Sequence, residues 1–268
     1  MATHAANKQR IDKNLKGGYD LVVYGDETTE EWNGLWYNKP SPNGKEISRY
    51  WNSTFTGDGG GQFEGLALGI AGDSAPNLIW RLQHGELVNN AKVYWILVGM
   101  NDLDKGGCSE EAVTFGILRA AEEISYHNPE SVVVIQGILP RSSNKDGSLT
   151  AKGHHKHLFH KHHTAEEEAA QARKEFLLWP SIKDINHELE AFCEKNEHFV
   201  YFDADKLFLG SQQNAHYKGE MKVMHDLLPD YVHLSVEGHK VLGQAMLEEL
   251  QRIIYDDDER TDIEDGNS

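Results

Sequence analysis

Five short apolar runs, each but the last followed by a segment of helical periodicity, constrain the fold of this chain more than any other feature. They are Asp20–Gly25 (DLVVYG), Phe63–Ile70, Val93–Val98 (VYWILV), Val132–Gln136 (VVVIQ) and Phe199–Phe202. Continuous rather than alternating apolar runs of this length are the pattern of strands covered on both faces. Between and after them lie amphipathic segments. Ser109 can cap a helix with Glu110 and Glu111 in its first turn, and Val113, Ile117, Ala121 and Ile124 then fall on one face. Beyond Pro180 the spacing repeats at Ile182, Ile185, Leu189 and Phe192, and near the C-terminus at Leu242, Met246, Leu250 and Ile253. Such alternation implies βαβ units, a parallel sheet of about five strands and a three-layer α/β/α sandwich. In that architecture ligands sit beyond the C-terminal ends of the strands, so the loops after each strand are the place to look for function.

Length and composition set the outer limits. The 268 residues carry 43 Asp+Glu against 26 Lys+Arg, a formal charge of −17, which argues against nucleic-acid binding because phosphate neutralisation needs clustered cations. The chain is expected to be one domain over residues 19–255, preceded by a polar segment, 1–18, and followed by an acidic tail, 256–268. The tail (DDDERTDIEDGNS) has Ile263 as its one apolar residue and is expected to be disordered. The first 20 residues hold no apolar run suited to an export signal, and no stretch is long enough to span a membrane. A soluble, cytoplasmic protein is expected. Cys108 and Cys193 cannot make a disulfide framework and are expected to be buried free thiols. Residues 141–164 read as a surface insertion containing His154, His155, His157, His160, His162 and His163, closed by the capping box Thr164–Glu167. That spacing can chelate Zn²⁺, Ni²⁺ or Cu²⁺, but a Lys/Gly-rich loop lacks the rigid support of a functional centre. A solvated, pH-responsive loop is the expectation, with no metal or organic cofactor.

Four polar clusters follow in order, each at an expected strand end or loop: Gly25-Asp26-Glu27-Thr28-Thr29, Gly69-Ile70-Ala71-Gly72-Asp73, Gly99-Met100-Asn101-Asp102 and Asp230-Tyr231-Val232-His233. Singly each is a common turn or cap. Together they resemble the SGNH, or GDSL-like, hydrolase superfamily, in the branch of the platelet-activating-factor acetylhydrolase-like esterases. The second cluster, continuing into Leu78-Ile79-Trp80-Arg81-Leu82 and Gly85-Glu86, is the most telling part. The resemblance runs from about Tyr19 to Ile254. It implies a flavodoxin-like fold and a serine that attacks an acyl ester. It also implies an oxyanion hole of the serine's own amide, a second-cluster glycine and a third-cluster asparagine, served by an Asp-x-x-His pair.

The residue types have physical reasons of their own. Gly72 can bring a backbone N–H to an oxyanion with no side chain in the way, and Asn101 can aim an amide N–H at the same point. Asp230, three residues before His233, can hold Nδ1–H and leave Nε2 free as a base.

Where the family has serine, however, this chain has Glu27. A carboxylate is a poor acyl nucleophile because its adduct is an anhydride, and its bulk and charge would occupy the space built for the substrate's oxyanion. Loss of the serine in an unrelated triad enzyme costs about 10⁶ in turnover, so ordinary esterase activity is expected to be lost or very low. Ser74, in a literal Gly-Asp-Ser, belongs by its flanking residues to the second cluster and reads as an N-cap. The expected function is an acyl-esterase scaffold acting on small esters or acylated carbohydrate or lipid. Two alternatives stay open: a non-catalytic acyl- or carbohydrate-binding module, and a metal-dependent hydrolase using Asp26 and Glu27. The oligomeric state is not legible.

Overall fold

All five apolar runs are strands in the computed structural model, which describes residues 2–12, 18–149, 178–211 and 221–265. Strands β1 (Tyr19–Gly25), β2 (Gly65–Gly69), β3 (Ala91–Leu97), β4 (Val132–Gln136) and β5 (Phe199–Phe202) form one parallel sheet in the order β2-β1-β3-β4-β5. The chain runs outward from β1 to β2 and then returns to add β3 on the other side of β1. That reversal opens a crevice at the carboxyl ends of β1 and β3.

The helices are α1 (Ala2–Asp12), α2 (Glu27–Glu31), α3 (Gly44–Phe55), α4 (Ala75–Arg81), α5 (Met100–Asp104), α6 (Glu110–His127), α7 (Leu178–Cys193), α8 (Asp205–Phe208) and α9 (Val236–Asp265). Alternate strand residues feed two separate cores, because successive side chains of a strand point to opposite faces. Val22, Tyr24, Tyr94, Ile96, Val133 and Ile135 pack under α4, α6 and α7. Leu21, Val23, Val93, Trp95 and Val134 pack under α3 and α9, against Trp51, Phe55, Leu242 and Met246. The result is the expected three-layer sandwich. Ser109 starts α6 as expected, its hydroxyl accepting the Ala112 N–H at 3.4 Å.

At the carboxyl edge of the sheet one guanidinium ties several elements together. Arg81, at the end of α4 and 2% exposed, donates to the carbonyls of Gly25 at 3.1 Å and Leu68 at 3.2 Å, to Asp73 Oδ2 at 2.6 Å, and to Glu86. Glu86 is also met by His4 Nδ1 at 2.6 Å and Asn7 Nδ2 at 3.2 Å, both from α1. Burial pushes the Asp73 carboxyl up to about 6, with the charge of Arg81 acting in the opposite direction.

A second buried polar pair joins α2 to α9. His239 donates Nδ1–H to the Ser235 carbonyl at 3.0 Å, and its Nε2 lies 3.6 Å from Glu31 Oε2. Burial pulls His239 down to about 4. It pushes Glu31 up to about 7, helped by the charges of Glu27 and Glu30.

The polar segment 1–18 contains α1, with His4 and Asn7 on a buried carboxylate. After Tyr255 the backbone of α9 continues to Asp265. Two expectations change. Cys108 is exposed, lying in the loop after α5, whereas Cys193 is buried on α7; both are free. The start of the 141–164 insertion is not surface loop: Ser142, Ser148 and Leu149 are buried, and Gly147 O accepts the Val223 N–H at 2.9 Å. The histidine cluster at 154–163 and the capping box at Thr164 lie outside the described residues.

Two predictions follow from these buried charges. Replacing Arg81 by leucine leaves Asp73 and Glu86 without their cation, and should lower stability by about 3–5 kcal/mol, read as a lower urea midpoint at unchanged slope. For Glu31 the sign is fixed by its raised value. Its protonated form is favoured in the fold, so its contribution is complete below about 4.5 and is lost as pH rises through about 7. Glu31→Gln should therefore gain on the parent between those limits, by at most about 1.4 kcal/mol per pH unit, in urea titrations run as a pH series.

Candidate active site

β1 delivers its last residue, Gly25, directly into α2, and the turn is closed by Asp26, whose Oδ1 accepts the Thr28 N–H at 3.1 Å. The five residues of α2 read ETTEE, yet Asp26, Glu27, Glu30 and Glu31 are all buried. Buried carboxylates need donors, and Asp26, Glu27 and Glu30 each have them. Glu30 takes the N–H groups of Ala71 at 2.7 Å and Tyr37 at 3.0 Å on Oε2, and that of Asn38 at 2.7 Å on Oε1. Tyr37 and Asn38 have φ of 50° and 57°, a left-handed turn that Glu30 holds in place. Glu30 thereby fixes the loop after β2 against α2.

Gly72 follows in that loop at φ 84°, with the Tyr37 hydroxyl 3.0 Å from where a Cβ would stand. Its N–H points at Glu27: Oε2 accepts it at 2.8 Å and accepts Asn101 Nδ2 at 2.9 Å. Asn101, at the start of α5 beyond β3, also donates to the Asp73 carbonyl at 3.1 Å, which orients its amide. Asp102 beside it receives the Ala75 N–H on both oxygens, at 3.1 and 3.0 Å, and so caps α4. The cluster loops therefore hold one another as well as Glu27.

The other oxygen of Glu27, Oε1, faces His233 Nε2 at 3.9 Å, beyond hydrogen-bond length. His233 Nδ1 lies 2.6 Å from Asp230 Oδ2, while Asp230 Oδ1 accepts the backbone N–H groups of Val232 at 3.0 Å and His233 at 2.7 Å. Partial burial works to raise the Asp230 carboxyl, but the His233 N–H, ring and charge and the Val232 N–H outweigh it and hold Asp230 below the usual carboxylate range. With Nδ1 engaged by Asp230, Nε2 is the ring nitrogen that faces Glu27. The ring of Trp36 stands edge-on to His233, with centroids 5.0 Å apart and planes at 80°. Between Glu27 and His233 is a cavity of about 30 Å³, walled by Leu97, Val98, Met100, Ile138, Leu139 and Val232.

Burial, followed by the charge of Glu27, pushes Asp26 well above the ordinary carboxylate range. Its Oδ1 is engaged by the Thr28 N–H. No cluster of three or more His, Cys, Asp or Glu side chains among the described residues has metal-binding geometry.

Five of the residues singled out in the sequence thus meet in one place: Glu27, Gly72, Asn101, Asp230 and His233. Ser74 does not join them. It begins α4, and its hydroxyl donates to Asn77 Oδ1 at 2.6 Å. Of the nearby aromatics, Trp32 lies in the core, Trp36 borders the site, and Tyr37 is exposed. The sequence reading missed Glu30, since a five-residue helix with three glutamates gives no apolar signal of burial. It also missed Ile138 and Leu139, which follow β4 with no polar motif to mark them.

The pattern of the GDSL-like lipase/acylhydrolase family matches residues 19–246. Curated relatives include platelet-activating factor acetylhydrolase IB subunit alpha1 of Bos taurus and of Homo sapiens, each 25% identical over 193 residues. That match covers 72% of this chain and 66% of the relatives' length. The alpha2 subunit of Homo sapiens is 35% identical over 77 residues, 28% of this chain and 32% of its own. Among solved structures, a GDSL-like lipase of Bacteroides thetaiotaomicron superposes with a TM-score of 0.62 at 14% identity, covering 94% of this chain and 97% of its own. A catalytic mutant of an acetylxylan esterase from Geobacillus stearothermophilus gives 0.52 at 14% identity, covering 87% and 94%. Among the described residues no helix is long and apolar enough to cross a membrane. The matched span takes in β1 through most of α9, with all five converging residues inside it, and the chain belongs to the GDSL-like lipase/acylhydrolase family.

Proposed function

We propose that this chain is an acyl-ester hydrolase scaffold of the Ser-His-Asp kind in which Glu27 stands at the nucleophile position and suppresses ester hydrolysis. The observation that carries the reading is the pair of donors on Glu27 Oε2, from Gly72 N–H and Asn101 Nδ2. In this scheme those two donors, with the amide of residue 27 in the first turn of α2, serve the oxyanion of a tetrahedral intermediate. His233 is the base, and Asp230 fixes its tautomer and orientation. The Glu27 carboxylate occupies the donors as the oxyanion would, so a substrate carbonyl must displace it to bind.

The cavity beside Glu27 limits the acyl group. A space of only about 30 Å³ beside Val98, Met100, Ile138 and Leu139 favours the smallest acyl groups over a long chain. Acetyl esters are also the substrates in the names of the acetylhydrolase and acetylxylan esterase relatives. The alcohol side leaves past His233, which is half-buried, so the reading includes small esters and acetylated carbohydrate or lipid.

The test is hydrolysis of p-nitrophenyl acetate by the parent chain and by Glu27→Ser. The serine variant should gain roughly 10³-fold or more, should prefer acetate to octanoate, and should lose the gain again when His233→Ala is added. A folded Glu27→Ser protein with no gain overturns the hydrolase assignment and favours a binding module.

A further inference from the structure

We propose that the site as it stands hydrolyses small alkyl electrophiles: Glu27 is a nucleophile toward saturated carbon, and His233 activates the water that cleaves the resulting ester. The carboxylate is held asymmetrically. Oε2 carries both N–H donors, at 2.8 and 2.9 Å, whereas Oε1 faces the cavity and His233. A carboxylate that attacks an acyl carbon forms an anhydride, a product more reactive than the ester it came from. When it attacks a saturated carbon it forms an ester, the functional group whose hydrolysis these loops are arranged to assist.

The step balances. Glu27 Oε1 forms a bond to the alkyl carbon as the carbon–bromine bond breaks, and bromide leaves with the electron pair. The protein now carries an alkyl ester whose carbonyl oxygen is Oε2, already between Gly72 N–H and Asn101 Nδ2. His233 Nε2, 3.9 Å from Oε1 and so not bonded to it directly, takes a proton from water as the hydroxide attacks Glu27 Cδ. Negative charge collects on Oε2, where the two donors stand. Collapse expels the alkoxide, which takes the proton back from His233. The sum is alkyl bromide plus water giving alcohol, bromide and a proton, with Glu27 regenerated.

The cavity sets the substrate class. Beside Asp26 and Thr28, its walls are the apolar side chains of Leu97, Val98, Met100, Ile138, Leu139 and Val232, which favour a small unbranched alkyl group over a polar or bulky one. A weakly hydrated leaving anion that needs no proton, bromide or iodide, suits the apolar part of that lining.

This inference extends the site beyond ester hydrolysis and is tested apart from it, with the parent chain and 1-bromopropane. Bromide release should exceed that of Glu27→Gln. His233→Gln should accumulate one propyl group on the peptide containing Glu27, with breakdown slowed by about 10²–10⁴-fold. In H₂¹⁸O with enzyme in excess, the first turnover should give unlabelled propanol and place the label in the Glu27 carboxylate, because the alcohol oxygen comes from Oε1. Label in the propanol of the first turnover means that water attacks the alkyl carbon directly, and overturns the proposal. So does bromide release no greater than in Glu27→Gln with no adduct in His233→Gln. Either failure leaves the p-nitrophenyl acetate result of Glu27→Ser standing, so the two readings fail separately.

Discussion

Arg81 satisfies two strand carbonyls and two carboxylates from a position almost without access to water, and the geometry of the site descends from that arrangement. The carbonyls belong to Gly25 and Leu68, at the ends of the two strands that feed α2 and the Gly72 loop. Asp73, the residue after Gly72, is drawn to the same guanidinium. A planar group with fixed donor directions does this better than an ammonium, because each N–H defines an angle as well as a distance. Desolvating so many charges is costly, and what it yields is register: the strand ends, the Gly72 loop and α1 are held to one another within hydrogen-bond tolerance.

The four carboxylates of Asp26 and α2 show how a fold sorts like charges packed close together. Glu30 is covered by three backbone N–H groups and works as a brace between loops. Asp26 and Glu31 are both driven toward their neutral forms, first by burial and then by the charge of Glu27. Gly72 N–H and Asn101 Nδ2, the latter shared with the Asp73 carbonyl, are turned to Glu27. The shifts of Asp26 and Glu31 both run in the direction that lessens like-charge repulsion around the residue that faces the cavity.

The fold was legible because its signals are local and repeated. The five apolar runs and the buried stripes of α6, α7 and α9 each state their own burial, and a parallel sheet is the arrangement that covers all of them. The converging residues were legible as motifs: Gly72, Asn101, Asp230 and His233 lie where the clusters put them. What stayed hidden is polar and long-range. Asn7 meets Glu86 across 79 residues of sequence, and Glu30 meets Ala71 across 41, with no periodicity to announce either. The buried pair of Glu31 and His239 is of the same kind, since a charged residue in sequence reads as surface until its partner is known. Ile138 and Leu139 were hidden for the opposite reason, being ordinary apolar residues after a strand whose importance comes only from what they wall.

Replacing a hydroxyl by a carboxylate at position 27 moves the carbonyl group of the reaction from the substrate to the protein. In a serine site the substrate's carbonyl oxygen must find the donors on each turnover, whereas Glu27 keeps an oxygen of its own on them permanently. A foreign oxyanion must displace that oxygen, so the proposed suppression of ester hydrolysis is steric and electrostatic as well as a matter of nucleophilicity. It also means that the donors are preorganised around an oxygen whose charge changes only when Glu27 itself is esterified and then attacked. In the proposed reaction His233, held by Asp230, serves the half in which water cleaves an ester, and the half in which the ester forms takes place at alkyl rather than acyl carbon.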